Sequence, residues 1–316
     1  MFGDSSLMKI SRFRMVGLLF VITAIALCFL GKDWLRQRME EKAVVSYLSK
    51  PRQIAPSQWI QHPVEKDAFN VKCKSGDMIS AVCCKVRNPT GTVVILHGVG
   101  SCKDHMAWMA RQMNDWGYNA VVYDSRAHGQ SSGSTITYGH VEKQDLADVI
   151  AEVRSRYDPT APIGVLGTSM GAAVAAQALP LIPFAKCEVL VSPFANFQHE
   201  FAVILPRMPD FFRSAEVQKL AEEKLGCQLS SISPVSAVAH STVPILVIHG
   251  SKDDTIAESQ GLEVFKASPS PDSRWFPVEG AGHDMDIFAD GKAWHDAVYA
   301  QIRDFLALHM KTNNRW

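Results

Sequence analysis

Residues Ile163-Gly164-Val165-Leu166-Gly167-Thr168-Ser169-Met170-Gly171, followed by Ala172-Ala173-Val174-Ala175-Ala176, decide how this chain is read. The apolar first half has the composition of a short buried strand, and the small residues after it suit a closely packed helix. Between them Gly167, Ser169 and Gly171 stand in the spacing G-x-S-x-G, the signature of a serine on a very sharp strand-to-helix turn. A residue at such a tip is strained, and the positions two before and two after it must lack bulk or the flanking elements collide. The turn also puts the Met170 N–H beside Ser169 at a helix N-terminus, where positive partial charge can steady a developing oxyanion. Taken alone, the five residues also fit a glycine-rich strand-to-helix turn with no chemistry, so the rest of the chain has to arbitrate.

Outward from this turn the chain alternates. Upstream, residues 69–73 and 78–86 read as two strands joined at Ser75-Gly76-Asp77, a hairpin signal. Residues 92–96 form a continuous apolar run suited to a strand buried on both faces, ending in His97-Gly98-Val99-Gly100. Met106, Met109, Met113 and Trp116 follow at helical spacing with Gly117 as a stop. A strand at 120–123, a glycine-rich loop at 124–133 and a helix with Leu146, Val149, Ile150 and Val153 on one face complete the approach. Downstream, strands are expected at 189–191, 244–249 and 274–278, a helix at 258–266, and a closing helix carrying Trp294, Val298, Ile302, Phe305 and Leu306. Such alternation predicts a doubly wound, mostly parallel α/β sheet. Residues 197–243, rich in phenylalanine and interrupted by Pro206 and Pro209, break it and are expected to be a small helical cap over a pocket. The cap phenylalanines are either plain core or an acyl-binding wall.

The chain's 316 residues suffice for one large domain, expected over 67–316. Its formal net charge is zero, and no basic cluster is interleaved with aromatics, so nucleic acid is excluded as a partner. The seven cysteines contain no C-x-x-C pair and no cysteine/histidine spacing for zinc, so no metal site and no disulfide framework is expected. Residues 15–31 (MVGLLFVITAIALCFLG) carry no charge, with Lys9, Arg12 and Arg14 before them and Lys32, Arg36 and Arg38 after. As a helix at 1.5 Å per residue this stretch would be about 25 Å long, the short end of what spans a bilayer. Residues 1–31 are therefore expected to be an uncleaved membrane anchor or a signal segment. The short N-terminus is placed inside and the domain on the non-cytoplasmic side, with a secreted or periplasmic protein after cleavage as the alternative. Residues 32–66 would be a juxtamembrane amphipathic helix, with Leu35, Met39, Val45 and Leu48 on its apolar side, and a proline-marked linker.

A nucleophilic serine needs a base within reach and an acid to orient that base. In an open α/β sheet both belong on loops leaving the carboxyl ends of strands. Two loops qualify: His249-Gly250-Ser251-Lys252-Asp253-Asp254-Thr255-Ile256, and Gly280-Ala281-Gly282-His283 after the last strand. The residues leave Asp253 and Asp254 both open as the acid. Asp284 and Asp286 beside His283 give only a faint metal-like grouping. His97, His128 and His249 each precede a glycine at a strand or loop end, positions typical of hydrogen-bonded loop supports.

The segments 96–100, 123–131 (with Arg126-Ala127-His128-Gly129), Gly167 to Gly171, 249–256 and 280–283 together resemble the α/β-hydrolase superfamily, and within it the capped esterase/thioesterase-like serine hydrolases. The resemblance implies that Ser169 is the nucleophile, His283 the base and Asp253, three residues after Gly250, the orienting acid. It implies an oxyanion hole built from the backbone N–H groups of Val99 and Met170, no cofactor, and a small ester or acyl substrate, lipid-like if the anchor holds the domain at a membrane. Ala127 departs from the family's glycine at that loop position. Acyl transfer and peptide hydrolysis use the same triad, and a hydrolase-like fold kept as a membrane-tethered binding module is the non-enzymatic alternative. Such modules lose the serine or the histidine, and this chain has a candidate for every role.

Overall fold

The computed structural model describes residues 65–204 and 215–311, together with scattered residues between 34 and 49. Eight strands form one sheet among the described residues: β1 (Glu65–Lys72), β2 (Met78–Lys85), β3 (Thr92–Leu96), β4 (Asn119–Tyr123), β5 (Ile163–Thr168), β6 (Cys187–Val191), β7 (Ile245–Gly250) and β8 (Arg274–Val278). Their order is β1-β2-β4-β3-β5-β6-β7-β8. β1 pairs antiparallel with β2 and β2 with β4, and every other pairing is parallel. The expected mostly parallel, doubly wound sheet is thus the observed one.

Its parallel strands are apolar because helices cover both faces. Val94, Leu96, Val165, Leu190 and Val247 point into one buried layer. That layer also holds Leu146, Val149 and Ile150 of α2 (Glu142–Arg156) and the alanines of α3 (Met170–Ala178). Their neighbours Val93, Ile95, Leu166, Val189 and Leu246 face the other layer. There they meet Met109 and Met113 of α1 (Ala107–Asp115) and Val298, Ile302 and Phe305 of α8 (His295–His309). Pro277 is accommodated because β8 is an edge strand. β1, the opposite edge, begins at Glu65, ahead of the expected start, since alternate exposed positions let Glu65, Lys66 and Asp67 continue the ladder.

Between β6 and β7 lie α4 (Phe197–Ile204), α5 (Ala215–Leu225) and α6 (Pro234–Val238), which Ser233 caps by accepting from the Ser236 N–H at 3.2 Å. The phenylalanines described here are core. Phe197 stacks on Tyr138 with centroids 4.2 Å apart, and Phe194 and Phe201 flank it, all three buried. α7 (Glu258–Ala267) follows β7.

The apolar stretch 15–31 and residues 50–64 lie outside the described residues. Among the described residues no helix is long and apolar enough to cross a membrane. Of the amphipathic positions expected between 32 and 48, Leu48 is buried in the domain core, and so is Val44, while Leu35, Met39 and Val45 are exposed. The Ile136 N–H donates to the Leu48 carbonyl at 2.7 Å, so this part of the chain docks on the domain rather than standing free.

Candidate active site

The chain winds from β3 to β4 on one side and returns to β5 on the other, so β3 and β5 flank the switch of direction. Ligands of open α/β sheets bind outside the carboxyl ends at that place. Ser169 leaves β5 there, at φ 52° and ψ −119°, a conformation few side chains adopt. Its N–H donates to the Val191 carbonyl at 2.8 Å, tying the tip of the turn to β6. The two glycines are required by contact. A Cβ on Gly167 would stand 2.4 Å from the Gly171 carbonyl oxygen, and one on Gly171 would stand 2.6 Å from that of Leu96 and 2.7 Å from that of His97. The turn is therefore pressed against the end of β3, which brings the loop carrying Val99 beside the start of α3.

His283 arrives from the loop after β8. Its Nε2 lies 2.9 Å from Ser169 Oγ, and its Nδ1 lies 2.6 Å from Asp253 Oδ2. Asp253 is fixed from behind: its Oδ1 accepts from the N–H groups of Thr255 and Ile256, each at 2.9 Å, and His249 Nε2 stands 3.2 Å from Oδ2. Burial pushes the Asp253 carboxyl up, but the hydrogen bonds from His249 and His283 outweigh it and hold the group well below the usual carboxylate range. For His283 burial pushes down, and the hydrogen bond and charge of Asp253 outweigh it, so the imidazole ionises above its ordinary value. The two effects describe one charge-assisted pair. Asp254, left open by the sequence, faces solvent.

His97 and His128 hold loops. His97 accepts from the Ser125 N–H at 3.0 Å, and burial, with His128 next to it, pushes it down to about 4. His128 accepts from the Gly100 N–H at 3.1 Å and donates to the Arg126 carbonyl at 2.8 Å, which couples the loop 124–133 to the loop carrying Val99. Asp124 braces the same region through the Lys103 ammonium at 2.6 Å and the Gln130 N–H at 2.8 Å. Ala127 sits at φ 61°, which is why glycine is the usual residue there; the alanine bears a modest backbone penalty.

A cavity of about 460 Å³ opens over Ser169 and His283, with Val99, Met106 and Trp108 among its walls. The described residues of the segment 197–243 do not line it. Trp108, and His249 as the rear support of Asp253, carry no motif in the sequence that announces them. Asp284, weighed only as a metal-like neighbour, lines the cavity too, whereas Asp286 is occupied by the Gly282 N–H at 2.7 Å and by Lys292 at 3.3 Å. Among the described residues no histidine, cysteine and carboxylate grouping could hold a metal ion.

This sheet order, with a serine on a sharp turn at its switch point and an acid and a histidine on the loops after β7 and β8, defines a class of architecture, the α/β-hydrolase fold. The model of the family described as Serine aminopeptidase, S33, matches residues 87–234. The chain is 27% identical over 244 residues to the uncharacterized protein YqkD of Bacillus subtilis (strain 168), covering 74% of this chain and 78% of that one. It is 24% identical over 218 residues to the lysophosphatidylserine lipase ABHD12 of Macaca fascicularis, covering 62% of this chain and 50% of that one, so it matches about half of that relative's length. Among solved structures the esterase Pf2001 of Pyrococcus furiosus superimposes with a TM-score of 0.68 over 82% of this chain and 98% of that one. At 22% identity that likeness is one of fold.

Proposed function

We propose that the protein is a serine hydrolase that cleaves ester or thioester bonds through an acyl-enzyme. The observation that carries this reading is the unbroken relay from Asp253 through His283 to Ser169 Oγ, ending on the strained turn at the floor of the cavity. His283 Nε2 takes the Ser169 proton as Oγ attacks the carbonyl carbon, and the N–H groups of Val99 and Met170 hold the oxyanion. The same proton passes to the leaving group. Water, deprotonated by His283, then releases the acid. Asp253 keeps the imidazole in the tautomer that accepts at Nε2 and favours the imidazolium that forms. The apolar wall of Met106, Trp108 and Val99 supports an acyl chain as the bound part of the substrate. The apolar stretch 15–31 supports a membrane-anchored location, and in this reading the domain lies on the non-cytoplasmic side although basic residues flank the stretch equally at both ends.

The match to the serine aminopeptidase model favours one second reading, hydrolysis of an amide at the same serine. A panel of p-nitrophenyl esters from acetyl to palmitoyl, run beside aminoacyl p-nitroanilides on wild type and His283→Ala, tests both. Ester turnover that collapses in the variant supports the esterase reading. Anilide turnover alone supports the second, and turnover that survives in the variant contradicts both.

A further inference from the structure

The cavity holds an acid that this mechanism leaves unused. Asp284 follows His283 in the chain, adopts φ 45°, and lines the cavity with Ser169. The point above Gly98 where a Cβ would stand is 3.2 Å from Asp284 Oδ2 and 3.3 Å from Ser169 Cβ, so the carboxyl and the serine converge on one spot that Gly98 leaves open. Asp284 Oδ1 is buried with no hydrogen-bond partner within bonding distance among the described residues, and the Thr168 hydroxyl is the donor that stands beside the carboxyl. Among the described residues no lysine or arginine lines the cavity, and the His283 imidazole is already engaged by Asp253 and Ser169. Burial pushes Asp284 up to about 6, against the pull of His283 and of the Thr168 hydroxyl, which leaves it mostly ionised at neutral pH. A desolvated carboxylate oxygen without a donor is costly, and buried polar groups are as a rule satisfied by something. A molecule that fills the cavity is placed to supply the donor that Oδ1 lacks.

We propose that Asp284 is a specificity-determining residue that accepts a hydrogen bond from a hydroxyl or a protonated amine carried by the substrate within a few atoms of the scissile carbonyl. This rests on the serine-hydrolase reading of Ser169 and adds to it a chemical class, the donor-bearing ester. Sites built to pair a substrate donor reject the analogue that lacks it, because the unmatched protein group remains buried. A hydrogen bond to a charged acceptor sets the expected discrimination at about tenfold to a hundredfold.

The test compares kcat/KM at neutral pH for ethyl butyrate, ethyl β-hydroxybutyrate, glycol monobutyrate and the butyrate of dimethylaminoethanol, on wild type and on Asp284→Gly. Glycine suits the left-handed backbone at this position, so the variant removes the carboxyl without adding strain. Thermal unfolding checks that it folds, and Asp284→Asn serves as a second variant that keeps side-chain volume. The readout is the ratio of each donor-bearing ester to its plain counterpart, which a loss of folded protein does not move. The proposal expects a ratio of about ten or more for at least one donor in wild type, falling to about one in Asp284→Gly. The two alcohol-side donors and the acyl-side hydroxyl tell hydroxyl from ammonium and one side of the ester from the other. Hydrolysis without donor preference, or a preference that survives Asp284→Gly, overturns the proposal while leaving the hydrolase reading intact. A wild type inert towards every ester overturns both.

Discussion

Asp253 Oδ2 and His283 Nδ1 lie 2.6 Å apart although 30 residues of chain separate them. The contact is short because both ends are held: Thr255 and Ile256 donate their N–H groups to the rear of the carboxylate, and Ser169 Oγ meets the far side of the imidazole at 2.9 Å. A carboxylate so fixed favours the protonated ring, which sets the pH at which the ring becomes a base.

In the proposed mechanism His283 is neutral when it accepts the serine proton, so kcat/KM is expected to rise with pH through the ionisation of this residue. Burial alone would place that limb below the ordinary histidine value of 6.5; the hydrogen bond and charge of Asp253 overcome it, so the midpoint is expected above 6.5. In Asp253→Asn the raising influence is lost and burial remains. The limb then moves to lower pH while kcat drops by about ten-thousandfold, as when the orienting acid of such a relay becomes an amide. pH–rate profiles of the two proteins measure both effects, and a limb that stays in place would separate Asp253 from the ionisation.

Gly171→Ala probes the contact between the turn and β3. The new methyl would meet the carbonyl oxygens of Leu96 and His97 at 2.6 and 2.7 Å, and both are backbone atoms that cannot rotate aside. Relief requires moving the loop that carries Val99 away from Met170. Activity on a short ester is expected to fall by about a hundredfold or more, the usual cost of losing one oxyanion donor. Circular dichroism and kcat/KM together check this; a folded variant with full activity would show that the two loops need not touch.

Glu188 gives a prediction on stability. It lies in β6 between Val165 of β5 and Ile245 of β7, fully buried, with neither carboxyl oxygen hydrogen-bonded. Burial pushes its ionisation well above the ordinary carboxylate value, so the folded state holds this proton more tightly than the unfolded chain does. Whatever stability the neutral group permits is present at acid pH and is lost as pH rises past the unfolded value, by at most about 1.4 kcal/mol per pH unit. Glu188→Leu removes the orphan group at similar volume and should stabilise by about 1–3 kcal/mol. Thermal unfolding between pH 5 and pH 8 should show the gap between variant and wild type widening with pH. A constant gap would mean that the carboxyl finds a partner.

How far the sequence carries the reader varies with the kind of signal. The strands β3, β5 and β7 were legible as apolar runs because parallel strands are covered on both faces, and the glycines around Ser169 were legible because contact forbids any side chain there. Asp253 and Asp254 could not be told apart from composition: the turn hydrogen bonds of Thr255 and Ile256 select the first, and those form only in the folded loop. The phenylalanines of 197–243 looked equally suited to a wall or a core, and the ones described are core because Tyr138, at φ 53°, turns its ring onto Phe197. Trp108 and Asp284 were hidden for a related reason. Asp284 reaches the cavity at a positive φ, which no spacing rule encodes, and Trp108 lies in the first turn of α1, where no motif marks the side chain that turns to the cavity.

In the proposed reaction Ser169 is the group that becomes acylated. Treating the full chain with a fluorophosphonate and weighing the tryptic peptides by mass spectrometry tests it directly. A stoichiometric adduct is expected on the peptide that contains Ser169, greatly slowed in His283→Ala and missing from Ser169→Ala. An adduct on another residue, or equal labelling of wild type and Ser169→Ala, would contradict this role of Ser169.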